Sequence, residues 1–518
     1  MKKNLLLALS LSTLLASCGA NAGDSSTKGS TEQSEQPIVK PSESGTTSTT
    51  PSDAEAPSVN PSDNSSTTPS DSSSQTPSKD TLADYKIPEG GYNNEEVTIN
   101  FYHTMGDSLQ KVLEPAIEEF NEIYPNIEVK HQQIGGYDDV RDQVKTELSI
   151  GEGPSLAYCY PDHVALYNKT KRVVKLENLI YDETYGLTQE QIDDFVPGYW
   201  QEGLQFGDGS MYTLPFSKST EVLYYNKTFF DANGLEVPTH WFSEFDNDTT
   251  SMEYVCKKIK QLDSNSIPLG YDSEANWFIT MCEQLGSPYT SATGNHFLFN
   301  NTVNRSFVSD FKTWYQEGLV TTQQIYGAYT SGLFTNVTAG ETHSYMSIGS
   351  SAGATHQRPT KGEDGNYPFE VGIAPIPQMD EDNQKVISQG PSICIFNKGT
   401  NDLEVLASWL FTKFLTTSVA FQAEFSIKSG YVPVIESVMN NDTFKAHLAK
   451  ANGGDGVAAL STKVCMEQVD YYYTSPAFIG SSEARDQVGD LLVAALSTND
   501  KTIEQLFEEA VAACIANS

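Results

Sequence analysis

Hydrophobic and polar positions change period in a regular order in the segment that starts near residue 97. Alternation at Val97, Ile99 and Phe101 is typical of a strand, and apolar positions from Leu109 onward then recur at helical spacing. The predicted elements are a strand at 97–101, a helix at 109–123, a strand at 127–131, a helix at 140–150 and a strand at 156–160. This β-α-β-α-β order predicts a parallel sheet covered by helices, an α/β fold with ligands at the carboxyl ends of its strands.

The rest of the chain continues to mix strands and helices, without an internal repeat. Residues 211–225 have strand character around Pro215 and Phe216, and further short strands are predicted at 369–373 and 393–396. Further helices are predicted at 252–262, 277–285, 307–318, 403–414 and 503–514. Pro115 lies inside the first helical pattern and predicts either a kink or a later start of that helix.

The N-terminus has the layout of a secretory signal peptide. Lys2 and Lys3 precede an apolar run over residues 5–15, which is too short to span a bilayer as a permanent helix. The following Leu-Ala-Ser-Cys resembles a bacterial lipobox, so we expect a signal peptide over 1–17 and a lipid on Cys18. An ordinary cleaved signal with a chance cysteine is the alternative.

Residues 18–91 combine the lipidated cysteine with a linker rich in Ser, Thr, Pro and Asp. No aromatic residue occurs between Cys18 and Tyr85, so this segment cannot bury enough apolar surface to offset its ordering entropy. We expect a disordered tether with an average reach of about 45–50 Å. Such a tether would hold the folded part at a distance from the membrane. The alternative is a surface stalk with no particular length requirement.

Composition bounds the class of the folded part. The chain has 518 residues and a formal net charge of −36. The length beyond the linker favours two lobes, and the charge argues against nucleic acid and against binding an anionic membrane through the protein surface. No motif predicts a metal or a cofactor.

Six cysteines follow Cys18 in the sequence. They are Cys159, Cys256, Cys282, Cys394, Cys465 and Cys514. Their even number permits disulfides, but their wide spacing and apolar surroundings favour buried free thiols.

An ordered series of short segments carries a family resemblance from Val97 to about Leu492. The segments are Phe101-Tyr102-His103-Thr104-Met105, Glu119-Phe120-Asn121, Gly135-Gly136-Tyr137, Pro215-Phe216-Ser217-Lys218-Ser219-Thr220, Leu223-Tyr224-Tyr225-Asn226-Lys227, Gly349-Ser350-Ser351-Ala352-Gly353, Gln389-Gly390-Pro391-Ser392 and Ser429-Gly430-Tyr431-Val432-Pro433. In this order the chain resembles extracellular solute-binding proteins of ABC importers, in particular those that bind glycerol-3-phosphate or maltose and other oligosaccharides.

The resemblance implies a two-lobed periplasmic-binding-protein-like fold of type II. Each lobe would be a mostly parallel sheet flanked by helices, with the ligand cleft at the hinge. The implied boundaries place lobe 1 at 92–215 and about 366–425, and lobe 2 at about 216–365 and 426–518. Closure of such lobes around a ligand is a hinge motion that a permease can sense.

The resemblance also implies a set of ligand-binding residues. They are Tyr137, Ser219, Ser351, Gly390 and Tyr431 by their places in matching segments, Asp162 by its place just after the third strand, and Trp277 as the match to the cleft tryptophan of the family. Aromatic faces stack on sugar rings, and a charged aspartate accepts hydroxyl hydrogen bonds strongly. Packing, helix capping and core burial are the structural alternatives for these residue types.

Phe478 is a departure from the glycerol-3-phosphate branch, which has an arginine suited to phosphate at that place. Its replacement favours a neutral ligand, with Phe478 and nearby Tyr471, Tyr472 and Tyr473 as an aromatic platform or as a packed strand edge. Arg485 and Lys218 are the neighbouring cations that could take the place of that arginine.

The sequence therefore predicts a monomeric lipoprotein on the outer face of the cell membrane. It would capture an extracellular carbohydrate and deliver it to ABC permease subunits, with glycerol-3-phosphate or a glycerophosphodiester as the alternative ligand. An extracellular glycoside hydrolase is a further alternative, but no nucleophile elbow, metalloprotease or P-loop motif is present. We therefore expect a binding protein and not an enzyme.

Overall fold

The computed structural model describes residues 82–518. Cys18, the predicted signal peptide and most of the predicted linker lie outside the described residues. Within 82–518, no helix is both long enough and apolar enough to cross a membrane.

The strands are numbered in chain order. They are β1 (Val97–His103), β2 (Ile127–Gln133), β3 (Leu156–Cys159), β4 (Leu214–Pro215), β5 (Glu221–Asn226), β6 (Leu269–Tyr271), β7 (Val320–Thr322), β8 (Met346–Ser350), β9 (Val371–Ala374), β10 (Val386–Ile387), β11 (Ser392–Ile395) and β12 (Tyr472–Tyr473).

The α-helices are numbered in the same way. They are α1 (Asp107–Ile123), α2 (Tyr137–Ser149), α3 (Pro161–Tyr167), α4 (Glu177–Ile180), α5 (Gln189–Asp193), α6 (Pro197–Glu202), α7 (Lys227–Asn233), α8 (Met252–Leu262), α9 (Glu274–Gln284), α10 (Thr302–Gln316), α11 (Gln323–Tyr326), α12 (Ser331–Phe334), α13 (Asp402–Thr417), α14 (Val419–Ser429), α15 (Asp442–Leu448), α16 (Val457–Glu467), α17 (Ser481–Ser497) and α18 (Ile503–Asn517).

Two five-stranded sheets define two lobes. The first has the order β2-β1-β3-β11-β4, and the second has the order β7-β6-β8-β5-β9. In each sheet three neighbouring strands are parallel, and the strand beyond them, β11 or β5, is antiparallel to both of its neighbours. The predicted α/β fold of two mostly parallel sheets flanked by helices is confirmed.

Each lobe has its own apolar core. In the first lobe α1, α13 and α14 cover one face of the sheet, and Phe101, Phe120 and Phe411 meet there edge to face with centroids 5.1–6.2 Å apart. In the second lobe α9, α10, α17 and α18 pack together around Trp277 and Phe311, whose ring centroids are 4.1 Å apart. Offset and edge-to-face aromatic contacts of this kind add to the area that each ring buries.

Helix starts follow the side chains that the sequence supplies. Ser251 caps α8 by accepting a hydrogen bond from the Tyr254 backbone N–H, and Asn301 caps α10 in the same way. α1 begins at Asp107 and continues through Pro115, so this proline does not delay the start of the helix.

Three chain segments cross between the lobes and form the hinge. Residues 216–220 connect β4 to β5, and they pair with the other two crossing segments through Lys218 with Val432 and Ser219 with Gln389. Gly390 has φ +95°, and a Cβ at this position would lie 2.3 Å from the Ser217 carbonyl oxygen. Only glycine therefore permits this close approach of two crossing segments.

The predicted lobe boundaries stay a prediction, but sheet membership shows how the chain is shared. β9 belongs to the second sheet, whereas β11 returns to the first. All six cysteines within 82–518 are buried free thiols.

Candidate ligand-binding site

A cavity of about 470 Å³ lies between the two lobes, beside the crossing segments. Residues directly after β1, β3, β6 and β8 line it, so it lies at the carboxyl ends of strands from both sheets. This is the position at which open α/β sheets bind ligands. Its volume is in the range of small-molecule sites.

A buried ion pair forms the floor of the cavity near the hinge. Lys218 Nζ lies 2.5 Å from Glu202 Oε1 and also donates to the Gly390 carbonyl and the Ser392 hydroxyl, both at 2.9 Å. Glu202 lines the cavity, and Lys218 is fully buried beneath it. The pair thus neutralises one wall carboxylate and links the crossing segments to α6.

Tyrosine rings dominate the first-lobe wall. Tyr137, at the first position of α2, lies edge to face with Tyr160, and their ring centroids are 4.9 Å apart. Its hydroxyl lies 3.1 Å from the hydroxyl of Tyr431, which follows α14 at the hinge. Tyr158, on β3, completes this aromatic surface. Faces of this kind suit the C–H face of a sugar ring.

Asp162 lies in the first turn of α3 and reaches across to the second lobe. Its Oδ2 accepts a hydrogen bond from the Ser482 hydroxyl of α17 at 2.8 Å. Burial acts to raise the pKa of Asp162, but His163, the Ser482 hydroxyl and Arg485 together hold the pKa below its usual value. Asp162 is therefore a charged acceptor in the cavity wall that also connects the lobes.

Glu221 is the most deeply buried carboxyl of the second-lobe wall, with 1% of its surface exposed. It begins β5, and it accepts hydrogen bonds from the Tyr271 hydroxyl at 2.6 Å and the Asn276 amide at 2.8 Å. Burial raises the pKa of Glu221 to about 7, although both donors oppose this shift.

Asp272 provides a second carboxyl on the same wall. It follows β6, and its Oδ1 accepts from both the backbone N–H and the hydroxyl of Thr330 at 2.7 Å. Burial raises the pKa of Asp272 against the effect of these hydrogen bonds. The second-lobe wall therefore offers a ligand mainly hydrogen-bond acceptors, and little positive charge.

Several buried polar atoms of the cavity wall have no hydrogen-bond partner within residues 82–518. They are Tyr158 Oη, His163 Nδ1, Ser217 Oγ, Thr290 Oγ1, Gln357 Oε1 and Ser388 Oγ. Hydroxyl groups of a ligand could satisfy atoms of this kind.

The eight sequence-predicted site residues divide into three groups. Tyr137, Asp162, Ser219 and Tyr431 line the cavity. Ser351 and Gly390 are buried beside residues that line it, and the Ser351 hydroxyl accepts from the Thr220 backbone N–H at 3.2 Å.

Trp277 and Phe478 lie in the second-lobe core. Trp277 is fully buried and stacks on Tyr271 with ring centroids 5.0 Å apart. Phe478 stacks on His296 at 4.5 Å. Neither side chain lines the cavity, and their predicted ligand contacts stay predictions.

Glu221, Asp272 and Asn276 also line the cavity, although no matching segment predicts them. For Glu221, the one signal in the sequence is a lone carboxylate at the start of an otherwise apolar strand. Arg485, which the sequence offers as a substitute cation, lies in the cavity wall. Within 82–518, no group of three or more His, Cys, Asp or Glu side chains is placed to hold a metal ion.

Comparison with known proteins agrees with this geometry. The sequence pattern of the bacterial extracellular solute-binding protein family matches residues 115–452, which is more than half of the chain. A maltotriose-binding protein of Pyrococcus abyssi is 22% identical over 361 residues, which cover 66% of this chain and 68% of the relative.

Two further similarities concern part of the sequence and the fold. The sn-glycerol-3-phosphate-binding periplasmic protein UgpB of Salmonella paratyphi A is 26% identical over 139 residues. The aligned residues make up 27% of this chain, and the chain spans 31% of the length of that relative. The ABC substrate-binding protein Lmo0181 of Listeria monocytogenes, solved in complex with cycloalternan, superposes with a TM-score of 0.64 at 16% identity. That match covers 82% of this chain and 99% of the other, and at this identity it shows a shared fold.

Proposed function

Because the chain belongs to the bacterial extracellular solute-binding protein family, we propose that it captures a neutral carbohydrate outside the cell and delivers it to an ABC permease. The charge of the cavity wall is the observation that carries this proposal. Four carboxyl groups line the cavity, at Asp162, Glu202, Glu221 and Asp272, of which Glu202 is paired with the buried Lys218, and Arg485 is the one Lys or Arg among the described lining residues. Such a wall accepts hydrogen bonds from hydroxyl groups and disfavours a further negative charge.

The aromatic lining supports the same class of ligand. Seven aromatic side chains line the cavity, and six of them are tyrosines with a polar tip: Tyr137, Tyr158, Tyr160, Tyr289, Tyr329, Tyr431 and the single phenylalanine Phe425. A ligand with alternating apolar faces and hydroxyl groups fits this combination. The maltotriose-binding relative adds an independent reason to begin with oligosaccharides.

A glycerol phosphate is the second candidate ligand. The guanidinium of Arg485 in the cavity wall favours it, because arginine recognises phosphate well. The UgpB relatives are named for this ligand, and they align with this chain over 139 residues.

The mechanism is capture by closure and requires no bond to be made or broken. The three crossing segments form the hinge, and the hydrogen bond between Asp162 and Ser482 is a further connection between the lobes. A ligand that contacts both walls stabilises the closed arrangement, and that arrangement is what a permease would recognise.

A lipid on Cys18 would keep the protein beside its permease. The described part of the chain begins against the first lobe, where Leu82, Ala83 and Tyr85 are buried. The Ala83 carbonyl accepts from the Lys175 backbone N–H at 2.9 Å, and the Tyr85 hydroxyl donates to the Asp402 carbonyl at 2.8 Å. The described chain is therefore fixed to the first lobe from residue 82 onward.

A thermal-shift screen tests the proposed ligand class. The full chain carrying Cys18→Ser, which prevents lipidation, is screened with neutral mono- and oligosaccharides, including maltotriose, and with sn-glycerol-3-phosphate and glycerophosphocholine. A carbohydrate should raise the Tm by several degrees, because selective binding stabilises the folded state. A shift with the glycerophosphates alone, or with no compound, would contradict the proposal.

A further inference from the structure

A hydrogen-bonded series of four side chains runs through the second-lobe wall and ends at Arg485. The Tyr271 hydroxyl donates to Glu221 Oε2 at 2.6 Å, and the Asn276 amide donates to Glu221 Oε1 at 2.8 Å. Asn276 Oδ1 in turn accepts a hydrogen bond from Arg485 Nη2. The series therefore begins at Tyr271 in the core of the lobe and reaches the cavity at Arg485.

Asn276 fixes the direction of donors and acceptors in this hydrogen-bonded series. Its NH₂ group must face the carboxylate, and its oxygen must face the guanidinium, because a flipped amide would lose both hydrogen bonds. Asn276 and Glu221 are 2% and 1% exposed, so neither has room to adopt another arrangement. One end of the guanidinium is thereby held against the wall.

The rest of the Arg485 guanidinium is available to a ligand. A guanidinium has five N–H donors, and Asn276 is its one hydrogen-bond partner within residues 82–518. Within residues 82–518, no carboxylate oxygen lies within 4 Å of a guanidinium nitrogen of Arg485, so the side chain forms no ion pair there. The side chain is partly buried and lines the cavity, where donors without partners are costly.

The charge of Arg485 is nevertheless balanced at a longer distance. It acts to lower the pKa of Asp162, Glu221 and Asp486, so three carboxyl groups lie within its electrostatic reach. A phosphate placed on this guanidinium would also face those carboxyl groups. An uncharged oxygen acceptor would not be repelled by them.

We propose that Arg485 is the specificity-determining residue of the cavity, positioned by Asn276 and Glu221 to donate hydrogen bonds to hydroxyl or ring oxygens of an uncharged ligand. This inference rests on the proposed carbohydrate-binding function and adds the residue whose N–H groups the ligand uses, while the carboxyl groups around Arg485 disfavour a phosphate.

Calorimetric titration of Arg485 variants tests the inference. The full chain with Cys18→Ser is compared with Arg485→Gln and Arg485→Lys, using the neutral oligosaccharides of the screen and sn-glycerol-3-phosphate as probes. Arg485→Gln should weaken oligosaccharide binding by about tenfold to a hundredfold, which is the usual loss for hydrogen bonds to a charged group. Arg485→Lys should lose less, because it keeps the charge but not the planar fork.

Arg305→Gln is the matched control. Arg305 is a partly exposed arginine of α10 whose nearest carboxylate, Glu504, is 3.9 Å away, so its loss should leave affinity unchanged. Wild-type oligosaccharide affinity should also be nearly independent of salt, because the ligand carries no charge. The Tm of each unliganded variant distinguishes a lost contact from a lost fold, and Arg485→Lys serves as the folded variant if Arg485→Gln unfolds.

The outcomes separate the two proposals. If an oligosaccharide binds the wild type and both Arg485 variants equally, the role of Arg485 is refuted and the proposed function stands. If sn-glycerol-3-phosphate binds more tightly than every oligosaccharide, with affinity that falls as salt rises, the uncharged-ligand inference is refuted. If no oligosaccharide binds the wild type, both proposals fail together.

Discussion

At the scale of single residues, the site depends on how each side chain is placed relative to the cavity. Asn276 and Trp277 are neighbours on α9, yet one lines the cavity and the other lies in the core. Consecutive residues of a helix point about 100° apart. A resemblance between sequences can therefore identify the right turn of the helix without identifying which side chain reaches the ligand.

The carboxyl group of Glu221 gives the first prediction. Its pKa rises from 4.5 to about 7 in the folded protein, so the folded state binds this proton more tightly than the unfolded state does. The free energy of unfolding should therefore fall as pH rises through this window, by up to about 1.4 kcal/mol per pH unit from this group. Glu221→Gln should remove that contribution, as measured by urea denaturation between pH 5 and pH 8.

The control for Glu221 is a carboxyl group on an exposed surface. Glu424 lies on α14 and is exposed, so Glu424→Gln should follow the wild-type pH dependence. Equal pH slopes for the Glu221 and Glu424 variants would show that Glu221 does not titrate in this range.

Tyr431 and Asp162 give the second prediction. One offers an aromatic face and the other a charged acceptor to the same cavity. Tyr431→Ala and Asp162→Ala should each weaken carbohydrate affinity more than tenfold while the fold survives. Exposed residues of the same types, in Tyr181→Ala and Asp193→Ala, should bind normally in the same titration. Normal binding by both cavity variants would refute the assignment of this wall.

At the scale of elements, local periodicity predicted the first lobe well. The alternation from Val97 onward and the helical spacing that follows correspond to β1, α1, β2, α2 and β3. Several second-lobe elements were not predicted, because β6 and β7 have three residues each and are buried throughout. Such short buried strands have no alternation to detect.

Arg485 illustrates the same limit for the site. It shares a face of α17 with Ser481, four residues earlier, and both line the cavity. This face is recognisable only once α17 is known to pack beside α9 and α3, because an arginine on an isolated helix is equally suited to the surface. The sequence therefore predicted the class of site and half of the predicted residues line the cavity, whereas the second-lobe wall depends on tertiary packing.

The crossing segments at the hinge give the third prediction. A Cβ on Gly390 would clash with the Ser217 carbonyl oxygen, and its φ of +95° disfavours any other residue. Gly390→Ala should destabilise the protein by about 2 kcal/mol or more. Gly332→Ala is the control, because a methyl group on that glycine of α12 would have open space around it for 4 Å. If both variants unfold at the same urea concentration, the close approach at Gly390 is not a constraint.

The ion pair under the cavity gives the fourth prediction. Lys218→Met leaves Glu202 buried without its cation, and the free energy of unfolding should fall by about 3–5 kcal/mol. Lys218→Met combined with Glu202→Gln should recover part of that loss, because no unpaired charge remains buried. A double variant as unstable as the sum of the single variants would show that the two side chains do not interact.

At the scale of the whole molecule, both lobes are needed to build one site. The first lobe supplies tyrosine faces and Asp162, and the second supplies Glu221, Asp272 and Arg485. Neither wall alone encloses a ligand. Binding should therefore be coupled to the angle between the lobes, and this coupling would allow the proposed permease partner to distinguish the loaded protein from the empty one.

A distance measured across the cavity tests this account most directly. Spin labels at Lys145→Cys on α2 and Ser497→Cys at the end of α17 lie on exposed positions of opposite lobes, and pulsed EPR reports their separation in the full chain with Cys18→Ser. A saturating neutral oligosaccharide should shift the distance distribution to shorter values and narrow it, whereas sn-glycerol-3-phosphate should leave it unchanged. An unchanged distribution in the presence of a bound oligosaccharide, or closure by the phosphate alone, would contradict the account.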